Sequence, residues 1–303
     1  MYSIMTNDVE NVSIINNKLS KRTAEKVIEK GLPRLLNLYS KYDVESTFYF
    51  TGQMADMFPK AVRQVVDDGH EVGCHGYSHN PIHSFDVMSS KMQYLHLLKA
   101  KTAIEYNAPR VESFRAPALR LGYDTISILE KLKFKTDSSI ASQRFDGPLS
   151  FGSIQKLRWL VSPRIPYLAS RKNPYKTGNS KILEVPPSSM FFAYQGTTMR
   201  VAPELNKLVG NLLYKESKKN LKPIVFLSHP NEFITEKQIS QIPRRSKSFI
   251  GYIFGDLLRR KLKLRNLGKP AIALKKEILK KSIDEGFDFI SMRSYRKVWE
   301  SKN

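Results

Sequence analysis

Short apolar runs alternate with stretches of helical spacing along nearly the whole chain. "YSIM" precedes a helical pattern over 22–42, "STFYF" one over 57–68, "EVGC" one over 86–105 and "SFRAP" one over 124–133. "FKTDSS" follows, then "ILEVPPS" ahead of a helical pattern over 203–218, "IVFLSH", and "FDFISM" near the end. Strands separated by helices predict an α/β chain with a parallel sheet or barrel. No repeat or linker divides the pattern, so residues 1–303 are expected to form a single domain. Two segments break the alternation: 141–181, rich in Pro, Ser, Arg and Tyr, and the basic stretch 240–282. Both are expected to be loops inserted in the core, of the kind that covers or shapes a site.

Composition narrows the picture. A hydrophobic content of 41% is that of a globular protein. Cys74 is the only cysteine, so neither an intramolecular disulfide nor a thiolate-rich zinc site is expected. The first ten residues carry acids and no basic segment followed by an apolar core, and no apolar run approaches the roughly 18 residues of a membrane span. The expectation is a cytoplasmic chain. Its net charge of +22 calls for an anionic partner. Residues 244–281 hold 13 Lys and Arg against Asp256 and Glu277, and "SFIGYIFGDLLRRKLKLR" within them reads either as a surface-seeking amphipathic helix or as a solvated basic face. The first reading puts the protein peripherally on the anionic inner face of a membrane. No zinc finger, RNP motif or glycine-rich phosphate loop points to nucleic acid.

The C-terminal ends of the expected strands carry most of the ionisable chemistry. They present in turn Asp8 and Glu10, then His75 and His79 of "EVGCHGYSHNP", then Arg115 and Pro117, Asp137, Glu184 and His229. In a barrel those ends converge on one face, so residues far apart in sequence meet in space.

At these positions the sequence resembles the polysaccharide deacetylases of carbohydrate esterase family four, which share the nodulation-deacetylase homology domain. The resemblance rests on "TNDVE", "STFYFTG", "FPKAVRQVVDDGHEVGCHGYSH", "FRAP", "KTDSS", "FLSHPNEF" and "FDFISM". It implies an irregular seven-stranded, TIM-barrel-like (β/α) fold. It also implies one divalent metal ion, zinc by default, on Glu10, His75 and His79. Two imidazoles and a carboxylate leave coordination positions open for water and an amide carbonyl. Asp8 matches the family's general base, Arg115 the arginine that orients it, and His229 the general acid. The backbone N–H of Ala118, after Pro117, matches the oxyanion donor, with Tyr77 and Leu227 on the substrate side.

Three departures stand out. The usual Asp-Asp pair is Asp8-Val9-Glu10, an Asp-x-Glu arrangement known in one branch of the family, in which alternate residues of an extended chain face one way. Gly76 replaces a common Ser or Thr. The Asp-Trp motif is missing, which leaves Asp137 or Glu184 to tune His229. The resemblance implies hydrolysis of an N-acetyl or N-formyl group on an amino sugar of a polysaccharide or lipid-linked glycan. The alternatives are a metal-independent C–N hydrolase of a small amide or ureide on the same fold, and a non-enzymatic basic membrane-binding protein.

Overall fold

The computed structural model describes residues 1–15, 17–145, 154–235 and 259–302. Among the described residues, seven strands form the parallel core of one curled sheet: β1 (Tyr2–Val9), β2 (Ser46–Phe50), β3 (Glu71–Cys74), β4 (Ser113–Phe114), β5 (Thr136–Asp137), β7 (Leu183–Glu184) and β10 (Ile224–Ser228). Their spatial order is β10-β1-β2-β3-β4-β5-β7, with β6 (Tyr167–Leu168) antiparallel on the outer edge and the short β11 (Asp288–Phe289) added to the start of β1. Every strand expected from the apolar runs is present. β6 and a hairpin, β8 (Ser189–Met190) with β9 (Phe192–Ala193), are additional.

β7 does not pair with β10 as a strand. The irregular chain after β7 closes the gap instead: Ser188 N–H donates to the Val225 carbonyl (2.9 Å), the Val225 N–H returns a bond to Ser188 Oγ (2.9 Å), and Gln195 bridges Leu227. The result is the irregular, seven-stranded barrel-like sheet that the sequence implied.

Two cores flank the sheet, and their composition follows from the two-residue period of a strand. On β1, Met5 and Val9 pack outward against the helices beside Leu35, Tyr39 and Phe50, whereas Ile4 packs inward with Leu183, Val185 and Val225. Thr6, Asp8 and Glu10 continue the inward row of Ile4. The outward row includes Asn7, whose Oδ1 accepts from Tyr39 Oη and Ser228 Oγ, both at 2.9 Å.

The stretch 240–282 is not wholly an inserted loop. Its described part contains the helices Arg259–Lys263 and Lys269–Asp284. The second buries Ala271, Lys275, Ile278, Leu279 and Ser282, which lie along one face at spacings of three and four, so it belongs to the outer layer of the barrel. The amphipathic stretch 249–265 falls outside the described residues for 249–258, and among the described residues no helix is long and apolar enough to cross a membrane.

Lys275 is fully buried in that layer, its Nζ 3.1 Å from Ser228 Oγ, 3.6 Å from Met5 Sδ and 4.2 Å above the Phe226 ring. Burial pushes its ammonium down to about 7, with Glu232 acting in the opposite direction. An unfolded lysine titrates near 10.4, so between those values the unfolded chain binds more protons and stability rises with pH. We expect the stability of the wild type relative to Lys275→Met to rise by several kcal/mol between pH 6 and pH 10. Urea midpoints across that range measure it.

Candidate active site

The inward row of β1 meets the loops after β3, β4 and β10 at one end of the barrel. Arg115, fully buried just past β4, is the hub. Its Nη1 donates to Asp8 Oδ1 (3.0 Å) and to Thr6 Oγ1 (2.8 Å), its Nε to the Ser138 carbonyl (2.8 Å) and its Nη2 to Ser138 Oγ (2.8 Å). The guanidinium also lies 4.5 Å over the Tyr49 ring. A planar fork satisfied in this way has little freedom to turn, and it fixes Asp8 with one oxygen engaged. The second oxygen, Oδ2, faces His75 Nε2 and His229 Nε2, each at 3.8 Å.

Glu10, His75 and His79 converge beside it, with all three potential ligand atoms within 4.8 Å of one another. Glu10 Oε2 lies 3.0 Å from His79 Nε2 and 3.6 Å from His75 Nε2. Ligand atoms around a tetrahedral zinc stand about 3.4 Å apart, given bond lengths near 2.0–2.2 Å. His75 Nδ1 lies 2.8 Å from the Arg115 carbonyl, which makes Nδ1 the protonated nitrogen and turns the Nε2 lone pair toward Glu10. His75 Nε2 and Glu10 Oε2 are both buried without a hydrogen-bond partner. A lone pair facing a carboxylate in a buried site attracts a cation, so the donor set fits a divalent metal.

The electrostatics agree. Burial alone would raise the Glu10 carboxyl, but His79, His75 and His229 outweigh it and hold the group at about 2. Burial disfavours the His75 imidazolium, yet Asp8 and Glu10 reverse this and raise its pKa, a sign of how strongly the site draws positive charge.

The loop geometry accounts for one departure in the sequence. Gly76 has φ +65, and a Cβ there would lie 3.2 Å from His96 Nε2 and 3.3 Å from Pro117 Cγ. Glycine adopts this left-handed conformation without the cost that a side chain adds. Ala118 and Leu119 also take positive φ, 54 and 55, just after Pro117. Two consecutive left-handed non-glycine residues carry strain on the order of 1 kcal/mol each, a feature that clusters at functional sites.

Not every expected residue lies where the sequence reading put it. The Tyr77 ring packs edge-on against His96 (6.1 Å) with Lys99 over its face (3.9 Å), and its hydroxyl donates to Asp56 (3.0 Å), so the side chain is held between the helices Gly52–Met57 and Ser90–Glu105. Leu227 stands opposite Thr6 in the β1–β10 register and so shares the inward face of that row, buried two residues before His229. Asp137 and Glu184 sit directly opposite each other on β5 and β7, both fully buried. Burial raises Asp137 to about 6, and burial together with Asp137 raises Glu184 well above the usual carboxylate range. Two such carboxyls share a proton at neutral pH. Among the described residues no hydrogen bond or ion pair joins either of them to His229, since Ser139 and the Ile140 N–H occupy them.

The carboxylate beside His229 is Glu232, with Oε2 4.0 Å from Nδ1. Glu232 also accepts from the His229 N–H (3.1 Å) and pairs with buried Arg200 (Nε to Oε1, 3.2 Å). Two glycines make room for this turn. A Cβ on Gly196 would fall 1.8 Å from Glu232 Oε2, and one on Gly31 would fall 2.3 Å from the Pro230 carbonyl oxygen. The sequence signal was an acid three residues after His229 in "SHPNEF". We expect Glu232→Gln to lower turnover by about 10–100-fold, the usual effect of removing a partner that orients a functional imidazole. The amide oxygen can still accept from Arg200, which also donates to the Lys263 and Arg265 carbonyls (2.9 Å each), so stability should fall by only about 1–2 kcal/mol. Steady-state rates and thermal melts check the two effects.

Residues 22–136 match the family model for polysaccharide deacetylase. Over that segment the chain is similar to polysaccharide deacetylases. That segment carries His75, His79 and Arg115, whereas Asp8, Glu10 and His229 lie outside it and join the site through the fold. A peptidoglycan deacetylase of Helicobacter pylori is 36% identical over 119 residues, 39% of this chain and 39% of that protein. A chitin deacetylase of Colletotrichum lindemuthianum is 32% identical over 92 residues, 29% of this chain and 36% of that one. The chain thus spans well under half the length of these relatives. A solved structure described as a polysaccharide deacetylase from Mycobacterium smegmatis superposes with a TM-score of 0.65 at 17% identity, covering 99% of this chain and 90% of the other. The structure of PuuE allantoinase gives 0.63 at 15%, again covering 99% and 90%. At these identities the likeness is one of fold.

Proposed function

We propose that this protein is a polysaccharide deacetylase, a metal-dependent hydrolase that removes an N-acetyl or N-formyl group from an amino sugar of a polysaccharide or lipid-linked glycan. The observation that carries the reading is the Glu10, His75 and His79 set with Asp8 and His229 facing it. A divalent cation, zinc by default, would be held by those three side chains and would supply Lewis acidity toward the amide carbonyl. Asp8, with Oδ1 tied to Arg115, takes the proton of the attacking water on Oδ2. His229 Nε2, 3.8 Å from that oxygen, gives a proton to the departing amine, so the sugar leaves as a neutral amine and the acyl group as the acid. The N–H of Ala118 is assigned to the developing oxyanion. Burial of Asp8, Glu10 and Arg115 keeps bulk water from the charged groups.

The test is release of acetate or formate from a panel of soluble and lipid-linked amino sugars, before and after metal removal and zinc restoration. Zinc-restorable release from at least one member supports the reading. Turnover indifferent to chelation, or none on any member with zinc bound, overturns it. A cytoplasmic, peripheral placement at an anionic membrane surface is part of the proposal, supported by the net charge of +22.

A further inference from the structure

The segment after β5 and the hairpin after β7 are bonded into one layer at the same end of the sheet as the site. Gln143 N–H donates to the Trp159 carbonyl (2.6 Å), Phe145 N–H to the Phe191 carbonyl (2.9 Å) and Phe191 N–H to the Gln143 carbonyl (3.1 Å). Arg164 fastens the layer to Gln143 Oε1 and to the Ser189 carbonyl, both at 2.9 Å, and Ser142 Oγ donates to the Pro163 carbonyl (2.6 Å). The inner side holds buried Trp159. Outside, Phe145, Leu157, Val161, Ile165, Phe191 and Phe192 are between 49% and 83% exposed. Single exposed apolar residues are ordinary, but six within one bonded layer are a concentration of the kind that marks an interaction surface.

The hairpin sharpens the point. Phe191, at the turn between β8 and β9, has φ 57 and is 66% exposed. A bulky apolar residue in a left-handed turn costs on the order of 1 kcal/mol where glycine or asparagine costs little, and its exposure returns nothing to the fold. Phe192 follows it in the chain, and Phe145 is joined to it through its backbone N–H.

The surrounding charge selects the occupant. Residues 141–181 contain eight Lys and Arg against one acid, Asp146, and of the eight Arg164 and Arg171 are paired with Glu216 and Glu130. Arg158 lies 5.1 Å over the Tyr123 ring and Lys156 lies 5.0 Å over the Trp159 ring, so each cation is seated on an aromatic ring. A second copy of a chain with charge +22 would bring like charge against like. A single-stranded nucleic acid or acidic glycan matches the cations but offers less to six apolar side chains. A bilayer of anionic lipid matches both, with an apolar interior beneath a negative surface.

We infer that this layer docks the mouth of the barrel on an anionic lipid bilayer, with Phe145, Phe191 and Phe192 entering the acyl boundary and Lys156 and Arg158 at the headgroups. The inference rests on the hydrolase reading only for its purpose, which is to bring a lipid-linked amino sugar to the site without fully extracting it. It adds a surface distinct from the basic stretch 240–282.

Flotation of the full chain with phosphatidylcholine vesicles, with and without phosphatidylglycerol, tests it. The wild type should float with the anionic vesicles only. Phe145→Ser, Phe191→Ser and Phe192→Ser together should lower partitioning at least about tenfold. Lys156→Gln with Arg158→Gln should lower it less, and high salt should mimic that pair. Leu157→Ser, Val161→Ser and Ile165→Ser form an independent second variant, and unchanged circular dichroism certifies that each is folded. The inference fails if the wild type stays at the bottom with anionic vesicles at low salt, or if both apolar variants float as the wild type does. It fails equally if the wild type is a dimer that these variants dissociate, or if soluble amino-sugar oligomers bind the layer while vesicles do not. Flotation involves no turnover, so an inactive protein that floats sinks the hydrolase reading alone, and an active one that does not sinks this inference alone.

Discussion

A protein carrying His75→Ala and His79→Ala together is expected to leave purification without stoichiometric metal and with amide hydrolysis reduced by about 10³-fold or more. The reasoning is chemical. Glu10 alone keeps one donor of three, and a divalent cation that polarises a carbonyl supplies several kcal/mol of transition-state stabilisation. Elemental analysis of wild type and variant, beside acyl release, measures both effects. Normal metal content in the double variant would show that Glu10, His75 and His79 are not the ligands. The fold should survive, because His79 lies in a loop and His75 makes a single ring hydrogen bond, to the Arg115 carbonyl.

Asp8→Asn should separate binding from turnover. The amide can still accept from Arg115, so melting and metal content should stay close to wild type, while the rate falls by about 10² to 10⁴, the usual contribution of a general base. Arg115→Ala should behave differently. It leaves the buried Asp8 carboxylate without its cation and strips Thr6 and Ser138 of partners, so a loss of about 3–5 kcal/mol in stability should accompany the loss of rate. A near-normal rate in Asp8→Asn would remove that residue from the mechanism.

The positions of Asp8, Glu10, His75, His79, Arg115 and His229 were legible because each follows an apolar run of strand length, and a parallel sheet gathers such positions at one end. The alternation of Asp8 and Glu10 was legible from the two-residue period of an extended chain. What escaped did so for physical reasons as well. The helix Lys269–Asp284 carries Lys275 at a core position, so a charge interrupts its apolar stripe and the segment read as part of a basic insertion. Glu232 looks like a surface acid in a turn until Arg200, 32 positions earlier, is folded against it. Asp137 and Glu184 do end strands as expected, but the side-by-side pairing of β5 and β7 turns the two carboxyls toward each other rather than toward His229. The hairpin at Phe191 has only two residues per strand, too short for any periodicity to show.

The place of β1 in the sheet governs when the site can exist at all. Ser3 to Asn7 pair with Ile224 to Ser228, and Met5 to Val9 pair with Ser46 to Phe50. A nascent chain can lay β1 against β2 soon after residue 50 emerges, but the other edge waits for residues more than 200 positions later, a closure of high contact order. Throughout that interval Ser3–Asn7 presents an unpaired edge open to other chains. Asp8 also lacks its 3.8 Å neighbour His229 until the same moment. A fragment limited to residues 22–136 would contain His75, His79 and Arg115 but no inward row from β1. Assembly of Asp8, Glu10, His75, His79 and His229 is therefore coupled to completion of the barrel, and a partly synthesised chain lacks the full set on which the proposed hydrolysis depends.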